Sequence, residues 1–189
     1  MKVYVIRHGE SESNRAKIWT GWFDAPLTEK GREDAVKVRA IISGVQFDKI
    51  YASDLSRARD TAVIAIPDCQ PELSPLLREI NLGSLTGKTL RIISDEEQRA
   101  EIQKNGYAMF GGESTEEFCG RIRRFRQQLE QKPYETVAIF AHGGWLRTML
   151  DEVIGISLPH DRIHCRNCAV GIFLYEDGFW TLDSWINLP

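Results

Sequence analysis

Residues 2–11, with the sequence KVYVIRHGES, decide how the rest of the chain is interpreted. The run from Lys2 to Ile6 is β-rich and nearly continuous in apolar character, and Arg7, His8 and Gly9 follow it directly. Short apolar runs of this kind are typical of strands that are covered on both faces of a sheet. The sequence therefore predicts a buried first strand that ends on an arginine and a histidine.

Three more β-rich runs lie further along the chain, and helical patterns separate them. The strand-like runs cover residues 49–52, 136–141 and 169–175. The helical patterns run from Thr28 to about Gly44, over 54–65, from the Ser114–Glu117 capping box onward, and from Gly144 to Gly155. Because strand and helix alternate, right-handed crossovers and a largely parallel sheet are expected. We predict an α/β fold of three layers, in which helices flank a mostly parallel, mixed sheet.

The helix that begins after Ser114 carries a clear apolar stripe. The apolar positions recur every three or four residues, at Phe118, Ile122, Phe125 and Leu129. The arginines of the same segment are Arg121, Arg123, Arg124 and Arg126. We expect the stripe to face the sheet and the arginines to lie mostly on the solvated face.

The C-terminal segment predicts a β-hairpin. Residues 169–175 and 179–186 are both strand-like, and Asp177-Gly178 between them supplies the positive φ that a tight turn needs. We expect one antiparallel strand at an edge of the sheet. The apolar residues of this edge hairpin, Trp180, Trp185 and Ile186, could pair with a second copy of the chain to form a homodimer.

Length and charge limit the classes of function. The chain has 189 residues and a formal net charge of −3, which fits a single domain over residues 1–189. A slightly negative net charge argues against a protein that wraps a nucleic-acid backbone, whereas it remains compatible with small anionic substrates. No apolar run reaches the roughly 20 residues that span a bilayer. Because the first residues predict a strand and not a signal peptide, we expect a cytoplasmic protein with no membrane partner.

Cysteines and histidines outside the strand ends do not predict a metal site. Four cysteines without an export signal indicate reduced thiols, and the single Cys165–Cys168 pair lacks the second pair of ligands that structural zinc needs. His160 and His164 are interpreted as surface residues. We therefore expect neither a metal nor another cofactor.

Cationic side chains follow three of the predicted strands. Arg7 and His8 follow the first strand, Ser53 and then Arg57 follow the second, and His142 follows the third. The carboxyl ends of parallel strands meet at one edge, where ligands of open α/β sheets bind. Taken alone, each side chain is better explained by an ordinary core or ion-pair role. Together, four cationic or cationisable groups without an acid repel each other unless an anion is their partner, and a phosphoryl group suits forked arginines and imidazoles best.

Motifs that the sequence lacks narrow the chemistry further. There is no G-x-x-x-x-G-K-[ST] loop, no carboxylate cluster suited to magnesium and no C-x5-R thiolate loop. Histidine is then the leading candidate for a nucleophile.

Several spaced motifs, in order, resemble the histidine phosphatase superfamily and within it the phosphoglycerate mutase-like branch. They are Arg7-His8-Gly9-Glu10-Ser11 with Asn14, the tract from Gly21 to Gly31, Ser53 to Ala58 with Thr61-Ala62, Leu77-Arg78-Glu79 with Gly83 and Gly87, Gly112-Glu113-Ser114, and Ala141-His142-Gly143-Gly144. The resemblance covers the chain from residue 3 to about residue 175, and it implies a phosphoglycerate mutase-like fold with a short lid insertion at about residues 68–113.

The resemblance also implies roles for individual residues. His8 corresponds to the nucleophile that accepts the phosphoryl group, and Glu79 to the acid that protonates the departing oxygen. The phosphate-binding shell that it implies consists of Arg7, Asn14, Arg57 and His142. His142, in protonated form, is expected to stabilise transition-state charge and is counted among the catalytic residues with His8 and Glu79.

The resemblance leaves more than one activity open. In both a phosphatase and a mutase the phosphoryl group passes through His8, and water or a bound phosphorylated acid then takes it up. The stretch from Glu79 to Gly112 is short and mixes basic with acidic residues, which we interpret as a helix with a balanced, solvated face. We therefore favour a small phosphatase, such as the α-ribazole phosphatase type, that acts on a small phosphate ester. A phosphoglycerate mutase is the alternative, and a non-catalytic phosphate-binding protein is disfavoured because His8 and Glu79 are both present.

Overall fold

The computed structural model describes residues 1–93, 95–156 and 162–188. Its strands are β1 (Lys2–Arg7), β2 (Lys49–Ser53), β3 (Glu72–Ser74), β4 (Thr136–Ala141), β5 (Val170–Glu176) and β6 (Phe179–Ile186). Its α-helices are α1 (Glu12–Arg15), α2 (Glu29–Ile41), α3 (Ser56–Ala65), α4 (Glu96–Asn105), α5 (Thr115–Glu130) and α6 (Gly143–Ile154). Short 3₁₀ helices cover Pro75–Leu77, Gly83–Leu85, Leu90–Ile92 and Ala108–Phe110.

The strands form one mixed sheet in the order β3-β2-β4-β1-β5-β6. Strands β1, β2, β3 and β4 are parallel to one another, and β5 is antiparallel to both of its neighbours. The expected mostly parallel, mixed sheet is confirmed, but the position expected for the antiparallel strand was wrong. The hairpin adds two strands beyond β1, so the reversed strand β5 is internal and the edge strand β6 runs parallel to β1.

Helices cover both faces of the sheet, which gives the three predicted layers. Val3 and Val5 of β1 pack in a core with α5 and α6, whereas Tyr4 and Ile6 pack in a second core with α2 and α3. Successive strand residues point to opposite faces, so a nearly continuous apolar strand supplies both cores. No described helix combines the length and apolarity that a membrane crossing requires.

The predicted helix boundaries follow from capping. The Thr28 side chain accepts a hydrogen bond from the Gly31 amide at the start of α2, and the predicted Ser114–Glu117 capping box opens α5. Helix α6 ends where Gly155 adopts a left-handed conformation. The Gly155 signal placed the C-terminal end of α6 within a residue of its observed position.

The apolar stripe of α5 is buried as predicted, but one of its arginines is not solvated. Arg121 is buried, whereas Arg124 is exposed and Arg123 and Arg126 are intermediate. The expectation of a mostly solvated set was wrong for Arg121. Arg121 follows Phe118 by three residues and precedes Phe125 by four, so it lies on the same face as the apolar stripe.

The segment between Glu79 and Gly112 is less helical than expected. Among the described residues of this segment only α4 is an α-helix, and the remainder contains 3₁₀ turns. No residue of α4 is buried, which agrees with a solvated helix. Lys88 and Arg91 lie outside it.

The cysteines of the C-x-x-C pair belong to different cores. Cys165 packs in the core with α5 and α6, and Cys168 packs in the core with α2 and α3. Both are buried free thiols on opposite faces of the sheet. They are therefore two separate core residues. His164 is exposed, and His160 lies outside the described residues.

The tryptophans of the edge hairpin are engaged within the chain. The Trp180 indole donates to Glu130 Oε1 at 2.7 Å, and the Trp185 indole donates to the His164 carbonyl at 2.8 Å. Trp180 is buried. These contacts do not test the predicted homodimer, but they show that both indoles have partners inside one chain.

Candidate active site

The carboxyl ends of β1 and β4 bring two histidines together. Arg7 and Ala141 pair at the last position of the parallel register, so His8 and His142 both follow directly after it. Their ring centroids lie 5.1 Å apart, and both side chains are buried. Arg57 is in the first turn of α3, just beyond the end of β2. The convergence expected from strand order is thus present, although Ser53 turns inward and accepts from the Leu55 amide.

Hydrogen bonds fix the His8 ring. Its Nδ1 lies 2.7 Å from the Gly9 carbonyl. Because a carbonyl only accepts, Nδ1 carries the proton and Nε2 keeps its lone pair. The Gly9 amide donates to Thr61 Oγ1 at 3.0 Å, and Asn167 Nδ2 donates to the His8 carbonyl at 3.1 Å. The imidazole is therefore held in one tautomer and one orientation.

Arg57 is held against the lone pair of His8. Its Nε lies 3.3 Å from His8 Nε2, and its two terminal nitrogens donate to the Phe23 and Gly21 carbonyls at 2.8 Å each. Asp24, in the same tract, accepts from the amide and hydroxyl of Ser56. Burial lowers the pKa of Arg57 to about 10, so the guanidinium stays charged at neutral pH.

Arg7, His142 and Asn14 complete the cluster at this strand edge. Arg7 donates to the Cys165 carbonyl and lies against Gly143, while its Nε has no partner among the residues that the structure describes. Both ring nitrogens of His142 are buried without a partner in the described part of the chain. Asn14 Oδ1 accepts from Asn167 Nδ2 at 3.2 Å. Buried polar atoms without partners are uncommon and indicate a place where a polar ligand binds.

Glu79 lies at the start of α6. Its Oε2 accepts from the Gly144 amide and its Oε1 from the Ile80 amide, both at 2.9 Å. A Cβ at position 144 would come within 2.2 Å of Oε1, so a side chain there would displace the Glu79 carboxylate. The Glu79 carboxylate therefore caps one of the free amides at the N-terminus of α6.

A buried ion pair that sequence reasoning missed holds the Glu79 segment. Arg121 Nε and Nη2 donate to the two carboxylate oxygens of Glu113 at 3.0 and 2.9 Å. Its terminal nitrogens also donate to the Leu76, Arg78 and Glu79 carbonyls at 3.0, 2.7 and 3.1 Å. Glu113 in turn accepts from the Asn81 amide at 2.8 Å. The position of Arg121 on the apolar face of α5 was the signal that could have found it.

Five of the six predicted site residues line one open cleft of about 1410 Å³. Arg7, His8, Asn14, Arg57 and Glu79 contribute to its wall, and His142 lies buried directly behind them. Arg147 and Asn167 line the cleft as well and were not predicted. Arg147 is on α6, one turn after His142. In the described part of the chain, no group of three or more His, Cys, Asp or Glu side chains is arranged to hold a metal ion.

Comparison with known proteins identifies the family. A family model described as the histidine phosphatase superfamily (branch 1) matches residues 3–188. The chain belongs to this superfamily.

Relatives within the superfamily carry different names. The chain is 27% identical over 194 residues to a protein named probable phosphoglycerate mutase GpmB from Escherichia coli, covering 98% of this chain and 90% of that protein. A proposed alpha-ribazole-5'-P phosphatase from Escherichia coli is 26% identical, with a TM-score of 0.84 over 99% of this chain and 96% of that one. A phosphoserine phosphatase mutant from Entamoeba histolytica, in complex with phosphoserine, is 25% identical, with a TM-score of 0.85 over 97% and 95% of the two chains.

Burial sets the charge state of the two histidines of this superfamily member. Desolvation, and then the nearby Arg57, lower the pKa of both His8 and His142 well below the usual 6.5. His8 is therefore neutral at physiological pH, as an attacking imidazole must be. Among the protein's own groups His142 is neutral as well, because burial beside arginines disfavours a further positive charge. The protonated His142 expected in the transition state stays a prediction.

These lowered pKa values predict a pH dependence of stability. Below pH 6.5 the unfolded chain binds protons at two histidines that the folded chain leaves neutral, so stability falls with decreasing pH by about 1.4 kcal/mol per histidine per pH unit. Above pH 6.5 these two histidines contribute no pH dependence to the free energy of unfolding. Urea unfolding between pH 5.5 and 7.5 should show a shallower slope for His142→Asn, whereas the exposed control His164→Asn should keep the wild-type slope. Equal slopes for all three proteins would contradict the assigned charge states.

The Arg121–Glu113 pair predicts a large effect on stability. Arg121→Met leaves the Glu113 carboxylate without its cation and removes the Arg121 donor from the Arg78 carbonyl, whereas the Leu76 and Glu79 carbonyls keep the Trp145 and Trp22 indoles as donors. The free energy of unfolding should fall by about 3–5 kcal/mol. Arg124→Met, at an exposed position of the same helix, should change it by less than about 0.5 kcal/mol. Urea unfolding measures both, and similar small losses would show that the buried pair does not hold this segment.

Proposed function

We propose that the chain is a phosphomonoesterase that hydrolyses a small phosphorylated metabolite through a phosphohistidine on His8. The observation that carries this proposal is the orientation of His8. Its Nδ1–H donates a hydrogen bond to the Gly9 carbonyl. Its Nε2 lone pair accepts from Arg57 Nε at 3.3 Å, the side on which a phosphoryl group would bind. A neutral imidazole held in this way is ready to attack an electrophilic phosphorus.

The cationic cluster provides the phosphate-binding shell. Arg7 and Arg57 carry fixed positive charges, and Asn14 adds an amide at the same end of the cleft. These groups bind the non-bridging oxygens and stabilise the charge that spreads over them in the transition state. A bound phosphate dianion raises the pKa of His142, which can then add a proton to the same shell.

In the first step the phosphoryl group moves from the substrate to His8. The bond between His8 Nε2 and phosphorus forms as the bond between phosphorus and the ester oxygen breaks. Glu79, in its protonated form, gives its proton to the departing oxygen, and the alcohol leaves. Glu79 suits this role because its carboxylate is anchored at the cleft wall by the Ile80 and Gly144 amides.

In the second step water removes the phosphoryl group. The ionised Glu79 takes a proton from water, the water oxygen bonds to phosphorus, and the phosphorus–Nε2 bond breaks. Phosphate leaves, His8 regains its lone pair, and Glu79 is again protonated. Every proton and bond is restored, so no cofactor is consumed.

A phosphoglycerate mutase is the second candidate, and the name of the GpmB relatives favours it. A mutase would use the same phosphohistidine, but a bound phosphorylated acid would replace water as the acceptor. The compact segment between Glu79 and Gly112 favours a phosphatase, because longer insertions with additional basic residues characterise the mutases that the sequence resembles.

Release of phosphate from p-nitrophenyl phosphate in the presence of EDTA tests the proposal. Hydrolysis under these conditions is expected for a metal-independent phosphatase. Activity restricted to phosphoglycerates and dependent on a bisphosphoglycerate primer would instead support the mutase. Phosphate binding without turnover of either kind of substrate would contradict both activities.

A further inference from the structure

The cleft extends beyond the phosphate-binding shell, and one of its ends is apolar. We call this end the lid wall, which consists of Trp19, Leu82, Leu90, Ile102 and Tyr107. Most of these side chains pack on one another and on the buried Leu85 and Ile93, and the rings of Trp19 and Tyr107 meet edge to face at 5.9 Å. A pocket of this kind binds apolar parts of a ligand and leaves orientation to a few polar groups.

The lid wall lies on the side of the cleft where the alcohol half of a substrate must lie. Ile80, whose amide donates to Glu79 Oε1 at 2.9 Å, packs in the same cluster as Trp19 and Tyr107. Gly21, two residues after Trp19, accepts a hydrogen bond from Arg57 through its carbonyl. Because Glu79 protonates the leaving oxygen, the carbon skeleton attached to that oxygen extends towards this wall.

The charged side chains that line the cleft are not part of the lid wall. Arg147 lines the cleft from α6, and its buried Nε has no partner among the described residues. Arg99 is the basic residue of α4 that lines the cleft, and its guanidinium donates to the Ile93 carbonyl at 3.1 and 3.2 Å. Arg162 also lines the cleft, where the acids Asp151 and Glu152 accompany it.

Lys17 is exposed at the cleft edge. Among the described residues, therefore, the lid wall itself has no buried cation that would hold a substrate carboxylate. A small hydroxy or amino acid that paired its carboxylate with Arg147 would still leave this apolar surface uncovered.

We propose that the lid wall binds an aromatic or branched aliphatic group of the substrate, so that the preferred substrates are monophosphate esters of bulky apolar alcohols. This inference rests on the proposed phosphatase activity and specifies its substrate class. The cleft volume of about 1410 Å³ exceeds what a phosphorylated three-carbon acid fills. Each apolar group that moves from water onto the wall strengthens binding in proportion to the area buried.

Leu90 and Ile92 provide a matched pair of positions for a test. Both belong to the 3₁₀ helix Leu90–Ile92, and both are 47% exposed. Only Leu90 lines the cleft. Asparagine at either position should affect folding to a similarly small extent, so a difference in kinetics between the two variants reports on the cleft.

The experiment measures kcat/KM for 2-phenylethyl phosphate, phosphoserine and 3-phosphoglycerate, all of which have alkyl leaving groups of similar reactivity. We expect 2-phenylethyl phosphate to be preferred by at least about tenfold. Leu90→Asn should lower kcat/KM for this ester by about fivefold and leave phosphoserine within about twofold. Ile92→Asn should leave all three values within about twofold.

The outcomes separate this inference from the activity on which it rests. Hydrolysis of all three esters that depends on His8, with no preference for the phenyl ester, overturns the inference and leaves the phosphatase intact. An equal loss on every ester in Leu90→Asn also overturns it, because the effect would then not depend on the apolar group. Failure of the wild-type protein to hydrolyse any ester overturns both.

Discussion

His8→Ala is expected to lower kcat by about 10⁵-fold or more on every phosphate ester, because it removes the atom to which the phosphoryl group is transferred. The substitution leaves Arg7, Arg57 and Asn14 in place. Phosphate should therefore still bind, with a dissociation constant within about tenfold of the wild-type value. Steady-state kinetics and calorimetric titration with phosphate measure the two effects separately.

His164→Ala serves as the matched control for this variant. His164 is exposed, and its side chain does not line the cleft. The control should retain wild-type kcat and phosphate affinity. Ordinary turnover by His8→Ala would overturn the proposed mechanism, and a complete loss of phosphate binding would show that His8, and not the arginines, dominates the shell.

Glu79→Gln is expected to lower kcat by about 10²–10⁴-fold, because glutamine keeps the shape of the side chain but cannot exchange a proton. The effect should depend on the leaving group. The p-nitrophenolate ion leaves without protonation, so the first step should survive with p-nitrophenyl phosphate. The second step still requires a base to take a proton from water, and the phosphohistidine should accumulate.

Pre-steady-state kinetics test this prediction. Glu79→Gln should release a burst of about one p-nitrophenolate per chain, followed by slow turnover, whereas a simple alkyl ester should give no burst. Glu116→Gln, at an exposed position of α5, should behave as wild type. An equal loss on both kinds of ester without a burst would contradict the assignment of Glu79 as the proton donor and acceptor.

Strand order and hydrophobic periodicity predicted much of the fold and of the candidate site. The predicted alternation of β1, α2, β2, α3, β4 and α6 placed His8, Arg57 and His142 at the ends of neighbouring parallel strands. Their convergence followed because parallel strands end at one edge. The position of β5 inside the sheet could not be deduced, since hairpin pairing alone does not tell which strand joins the existing edge.

Long-range contacts account for most of what the sequence did not reveal. Glu79 was found only through the family resemblance, because its place depends on Arg121 and Glu113, which lie far along the chain. The charge state of His142 depends on complete burial beside Arg57, and the residue types alone do not report burial. The lid wall combines residues from two distant segments, so no local pattern pointed to it.

Trapping the phosphorylated enzyme tests the central claim most directly. Rapid acid-free quenching of the reaction with p-nitrophenyl phosphate in Glu79→Gln, followed by peptide mapping and phosphorus NMR, should locate about one phosphoryl group per chain on Nε2 of His8. The label should be labile in acid and stable in base. A label on a serine, cysteine or carboxylate, or turnover in a single displacement that leaves no label on the protein, would contradict the proposed phosphohistidine mechanism.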